Sequence, residues 1–294
     1  MARGAALGAL ALALTGCPRL GVIDDGSSLS YGPANRGRLI NPQELPRRGD
    51  GFHIPNRWAT RGLNFGTDEM VLFLAHVGRA VAAEHPKSSV GIADISQAWG
   101  GPSAWHRSHQ TGRDVDVIFF MTDGRGKPVP YEDMRHVGPD GVTRPGVGPG
   151  GPLATYRFDV ARNWSLVRAA IENPVVRVQF IFIYDPLRQM LLDYARDQGE
   201  SPDLIAQASH ILRQPGGAAP HDDHFHMRIY CAGSDRTQGC EDTGPLRWFK
   251  RDLKYVDGSR HTLLSALPPR DPELDNVRAM LSLSSLPFRG FVPK

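Results

Sequence analysis

Two short stretches concentrate the residue types that bind metals and move protons. In the first, Ser108-His109-Gln110-Thr111-Gly112-Arg113-Asp114-Val115-Asp116, His109 stands seven positions before Asp116, across a Thr-Gly turn. The second, His221-Asp222-Asp223-His224-Phe225-His226-Met227-Arg228, holds three histidines at spacings of three and two. Residues i and i+2 of a strand point to one face, so His224 and His226 can present two imidazoles together. Asp116 falls in a second β-prone run, Val115 to Phe120, and can meet them from a neighbouring strand. Gly112 lets the chain turn so that His109 reaches the same point. Two histidines and a carboxylate form a known catalytic zinc set with a fourth position left for water, whose pKa zinc lowers to roughly 7. A nearby histidine that is not a ligand then serves as base and proton carrier. Spacing alone does not say which of His224 and His226 binds metal. Asp114, one strand period from Asp116, suits a supporting role behind a ligand, or else is a solvated turn residue. Each feature is common singly. Together they make a candidate metal site, and no Gly-x-Ser-x-Gly, phosphate loop or catalytic cysteine context competes with it.

The elements around these stretches read as an α+β domain: a small antiparallel sheet carrying the metal site, flanked by helices and long loops. Thr67 can cap a helix running to about Glu84, with Val71, Leu74, Val77 and Val81 on one face and Pro86 ending it. Strands are expected over Ser89 to Ile95, Val115 to Phe120, Val175 to Tyr184 and His224 to Tyr230. Asp159 can cap a helix carrying Trp164, Val167 and Ile171, which Asn173-Pro174 stops. Helices over Pro186 to Arg196 and Pro202 to Leu212 each begin with proline, which the first turn tolerates. Residues 100–112 are a Gly-rich loop, and 138–152 are too rich in Gly and Pro for regular structure.

The 294 residues are 40% hydrophobic, enough for a sizeable core, and the formal charge of +3 predicts neither nucleic-acid nor membrane-surface binding. Arg3 precedes an apolar run, Ala5 to Leu14, too short to span a bilayer, and the run ends in Leu14-Thr15-Gly16-Cys17. That ending resembles the lipobox of bacterial lipoproteins, in which the signal is removed and the cysteine lipidated. Expected boundaries are therefore a signal peptide over 1–16, a tether over 17–35, the catalytic domain over 36–265 and a loosely packed tail over 266–294. Lipidation of Cys17 leaves Cys231 and Cys240 as a pair that a disulfide could join in an oxidising compartment. Pro18, where an aspartate would signal inner-membrane retention, points to a periplasmic protein anchored to the outer membrane.

The two motifs together resemble those of the penicillin-insensitive murein endopeptidases. These zinc peptidases are related to lysostaphin-type enzymes, D-alanyl-D-alanine metallopeptidases and hedgehog domains. The likeness rests on Ser108 to Gly112 followed by Asp114-Val115-Asp116, and on His221, His224 and His226 followed by Arg228 and Cys231. It extends more weakly through the helix start at 66–74. It implies zinc bound by His109, Asp116 and His226, with His224 as catalytic base and His221 as a second catalytic or transition-state-stabilising histidine. His106 fits a position three residues before the first ligand and is a candidate for an additional metal contact or a supporting role. Asp133 and His136 match the spacing of a further Asp and His of the family but sit in a different stretch, so no second metal is carried over.

The implied activity is hydrolysis of the D-alanyl–meso-diaminopimelyl cross-link of peptidoglycan. A D,D- or L,D-carboxypeptidase acting on stem peptides is an alternative, as is a zinc-containing peptidoglycan-binding domain without turnover. The presence of both His221 and His224 favours an enzyme, because binding zinc needs only one of the three histidines. Partners beyond the wall polymer and the membrane reached through Cys17, and the oligomeric state, are not legible.

Overall fold

In the computed structural model, residues 26–143, 155–217 and 219–243 are described. Cys17, the signal segment, most of the 138–152 loop and the tail over 266–294 lie outside them. The elements that build the site are, in chain order, β1 (Leu29–Pro33), β2 (Arg38–Ile40), α1 (Asp68–Glu84), β3 (Val90–Gly91), β4 (Asp114–Ile118), α2 (Val160–Glu172), β5 (Val178–Phe182), α3 (Asp185–Asp197), α4 (Pro202–Ile211), β6 (Leu212–Arg213), β7 (His224–Ile229) and β8 (Cys240–Glu241). The fold class is α+β as expected.

The central sheet has the order β6-β5-β7-β4. Its β5–β7–β4 part is antiparallel, while β6 adds to the edge of β5 in parallel. Strands β4 and β7 read Asp-Val-Asp-Val-Ile and His-Phe-His-Met-Arg-Ile. This alternation divides the sheet into two unlike faces. Val115, Val117, Ile181, Phe225, Met227 and Ile229 enter one hydrophobic core. The helices contribute Val71, Leu74, Val81, Trp164, Val167, Leu187, Leu191 and Ala208 to the same core. The opposite face carries Asp114, Asp116, His224, His226 and Arg228 in register, with Asp116 opposite His226 and Asp114 opposite Arg228.

Helix starts follow side-chain chemistry. Thr67, Asp159 and Ser201 each accept a hydrogen bond from the third backbone amide onward, at Met70, Arg162 and Leu204. Such caps are each worth about 1 kcal/mol.

Three strands are shorter than propensity suggests because competing hydrogen bonds take their ends. After Ile118, the backbone N–H and C=O of Phe120 both bond to the Asn163 side chain on α2, at 2.9 and 2.8 Å. Before Val178, Asn173 Oδ1 accepts from the amides of Val175 and Val176, which holds them in a turn. In the Ser89 to Ile95 run only Val90–Gly91 is strand, and Ile95 donates instead to the Leu63 carbonyl.

Of the expected tether over 17–35, residues 17–25 lie outside the described residues, and the part that follows is bonded into the fold. Ser28 is already bonded in both directions to Asp68 at the start of α1. Strand β1 pairs antiparallel with β2 and parallel with β8. The few apolar residues of this stretch give no pattern, because main-chain pairing and the buried Ser30 hold it in place rather than an apolar stripe. Arg113, fully buried, fastens these strands to the site. It donates to Ser30 Oγ (2.9 Å), to the Ile229 and Glu241 carbonyls (both 3.1 Å) and to Asp242 Oδ1 (3.1 Å). A disulfide joins Cys231 to Cys240.

Candidate metal centre

His109, Asp116 and His226, from a loop and two adjacent strands, converge. His109 Nε2 lies 3.2 Å from His226 Nδ1 and 3.3 Å from Asp116 Oδ1, and His226 Nδ1 lies 3.0 Å from Asp116 Oδ1. Hydrogen bonds on the far side of each ring assign the protons. His109 Nδ1 bonds to the Ile95 carbonyl at 2.6 Å, an acceptor only, so its hydrogen is there and Nε2 offers a lone pair. His226 Nε2 bonds to Asp114 Oδ1 at 2.9 Å, which leaves Nδ1 as the lone-pair atom. Two lone pairs and a carboxylate oxygen therefore face one another, and Asp116 Oδ1 is buried without a hydrogen-bond partner among the described residues. Ligands held at roughly 2.0–2.1 Å around a tetrahedral ion stand about 3.3 Å apart. The donor set and its spacing fit one small cation.

The local backbone explains how His109 arrives there. It adopts φ 63°, a left-handed conformation that a non-glycine residue takes at a cost of about 1–3 kcal/mol, and such strain concentrates at functional sites. Gly112, at φ 71°, completes the turn, and a Cβ there would come within 2.8 Å of Leu39 and 3.0 Å of the Thr67 amide.

Around this trio lie the other sequence-selected residues. Asp114 is fully buried and accepts from Arg228 Nε at 2.6 Å as well as from His226. Burial opposes its charge, but Arg228 and His226 outweigh burial and hold its carboxyl well below the usual range. His224 turns Nε2 toward Asp116 Oδ1, at 3.4 Å, and its Nδ1 bonds to Asp223 Oδ1 at 2.6 Å. Burial disfavours the imidazolium, yet Asp116 and then Asp223 push its pKa up to about 10. His221 stands with its ring centroid 5.1 Å from that of His224, its Nδ1 buried and without a hydrogen-bond partner among the described residues. Burial, followed by His224 and His226, brings its pKa down to about 4. His106 stacks on His109 at 4.1 Å, bonds through Nε2 to Asp94 at 2.8 Å and sets Nδ1 3.6 Å from Asp116 Oδ2. The six residues fall into two potential ligand groups, His106 with His109 and Asp116, and His221 with His224 and His226. Asp133 pairs with Arg57 and His136 with Asp222, outside both groups.

A model of the penicillin-insensitive murein endopeptidase family matches residues 30–250. This chain belongs to that family. It is 27% identical to the penicillin-insensitive murein endopeptidase of Haemophilus influenzae, over 76% of this chain and 70% of that protein. Against the enzyme of the same name from Salmonella heidelberg it is 28% identical, over 74% and 71% of the two chains. Membership makes the chain a peptidase and encloses both motifs in the matched region.

Two residues of this family member's site escaped the sequence reading. Asp223 had a signal, since it adjoins His224 within the second motif, but which of Asp222 and Asp223 serves depends on strand direction. Asp94 had none, because its bonds to His106 and to Arg61 (2.6 Å) depend entirely on tertiary folding.

Proposed function

We propose that this protein is a zinc-dependent murein endopeptidase that hydrolyses the D-alanyl–meso-diaminopimelyl cross-link of peptidoglycan. The observation that carries the metal assignment is the facing trio of His109 Nε2, His226 Nδ1 and the unpaired Asp116 Oδ1. These three residues would hold the ion and leave a fourth position for water. Zinc in such a three-ligand site supplies Lewis acidity toward an amide carbonyl and lowers the pKa of water to about 7.

The chain's own groups do the rest. Ile95 and Asp114 fix the ring orientations of His109 and His226, so neither histidine must reorganise. Asp223 holds His224 with Nε2 facing Asp116, whose charge does most to raise the His224 pKa. With a cation held by Asp116 that pull is offset, and this nitrogen is free to take a proton and return it to the departing amine. His221, its ring centroid 5.1 Å from that of His224, would donate to charge that develops on the carbonyl oxygen. The choice of bond and polymer is supported by the names of the relatives and by the motif resemblance.

Purified sacculi incubated with the protein provide the test. Cross-linked dimers should become monomers at the same rate with and without penicillin, because the described residues that face the metal trio are histidines and carboxylates, which a β-lactam does not acylate. A chelator should stop the reaction and added zinc restore it. Shortened stems in place of monomers, or inhibition by penicillin, would overturn the proposal.

The same reading puts the protein in the periplasm, anchored to the outer membrane through a lipid on Cys17. The Cys231–Cys240 disulfide supports an oxidising compartment.

A further inference from the structure

The row of side chains that holds Asp116 and His226 does not end at the metal-binding trio. At the same level of the sheet Asp116 is opposite His226, His226 opposite Phe182, and Phe182 opposite Arg213 on the edge strand. Directly opposed residues share a face, so Arg213 stands on the face that carries the histidines. The Phe182 ring packs at 5.6 Å on His226 and 5.4 Å on His221. Beyond it opens a cavity of about 460 Å³ lined by Phe182, Asp185, Arg188, Leu212, Arg213 and Gln214, among others.

Two cations face this cavity. Arg188 is pinned from below, donating through Nε to the Leu212 carbonyl (2.8 Å) and through Nη2 to the carbonyl and hydroxyl of Ser209 (3.0 and 3.2 Å). Its Nη1 makes no such bond among the described residues. Arg213 lines the cavity, and its buried Nε has no hydrogen-bond partner among them. Neither guanidinium forms a salt bridge among the described residues, and the one acidic residue in the lining, Asp185, is exposed. A held guanidinium beside an unsatisfied one is a receptor for a planar anion.

We propose that Arg213 and Arg188 form a subsite for a free carboxylate of the peptide substrate, positioning the scissile bond over the trio. The inference rests on the peptidase reading above. Two strand spacings, roughly 10 Å, separate Arg213 from His226, about the length of three extended residues. The carboxylate therefore belongs to a residue a few positions from the bond cut, and wall stem peptides carry such free carboxylates.

A defined cross-linked muropeptide dimer, and the same dimer with its carboxylates converted to amides, test this with the full-length protein. Wild type should show a KM roughly ten- to a hundredfold higher for the amidated dimer. Arg213→Gln should raise KM for the carboxylate dimer to a similar degree and change little for the amidated one, and Arg213→Lys should recover part of the loss. Equal handling of both dimers by wild type, or an equal penalty on both from Arg213→Gln, would overturn the subsite. If Arg213→Gln does not melt cooperatively, the wild-type comparison decides alone. Calorimetric binding of the two dimers separates this idea from the activity. A protein that prefers the carboxylate dimer but cuts neither keeps the subsite and loses the endopeptidase reading.

Discussion

His224 and His226 point the same way from one strand, yet their outer nitrogens meet different partners. His226 Nε2 is committed to Asp114, which is buried and charged, and His224 Nδ1 to Asp223, which is partly exposed. The first arrangement suits a ligand and the second a proton carrier. His226→Ala should therefore lose both zinc and activity. His224→Ala should keep about one zinc per chain, by elemental analysis, while cleavage falls about 10²–10⁴-fold. Zinc retained at full occupancy in His226→Ala would show that the roles are misassigned. The histidines and Asp116 were legible in the sequence because strand periodicity acts over two residues. Which nitrogen each histidine presents was not, because Ile95 and Asp114 decide it from distant parts of the chain.

The sheet's alternation sets function on one face and stability on the other, and the two should separate on mutation. Phe225 lies between His224 and His226 but is wholly buried on the core side, edge-to-face with Phe119 at 4.8 Å. Phe225→Ala should cost about 3–5 kcal/mol in denaturant unfolding through the cavity it leaves. Below its transition the variant should still bind zinc. Helix starts are legible in the sequence, because Thr67 and Asp159 mark two of them and Pro186 and Pro202 the other two locally. Strand ends were read less well, since Asn163 and Asn173 intercept backbone groups that the β-prone residues would otherwise pair. The helix expected over Pro202 to Leu212 overruns by one residue into the edge strand β6, because Leu212 and Arg213 are only two residues with no period to detect.

Across the whole molecule, the Cys231–Cys240 disulfide closes a short loop whose C-terminal end is β8, next to β1. Closing a loop of that length should stabilise the fold by about 2–3 kcal/mol. Reduction, or Cys231→Ser with Cys240→Ser, should lower the midpoint of thermal unfolding by several degrees, roughly 2–4 °C per kcal/mol at this size. An unshifted midpoint would show that Arg113 and its four partners hold β8 without help.

Strand β1 also fixes a leash. The chain is held from Gly26 onward, with the Ser27 carbonyl accepting from Asn41 and Ser28 bonded to Asp68. If Cys17 is lipidated as proposed, at most the eight residues from Pro18 to Asp25 separate it from the domain. Fully drawn out, a segment of that length reaches roughly 30 Å. Anchored in this way, the enzyme could work only the shallow layer of wall nearest its leaflet, whatever its intrinsic rate. Twenty flexible residues inserted before Gly26 should increase cross-link cleavage in intact cells and leave the rate on isolated sacculi unchanged. Cys17→Ala should move the protein to the soluble periplasmic fraction and remove the dependence on leash length altogether.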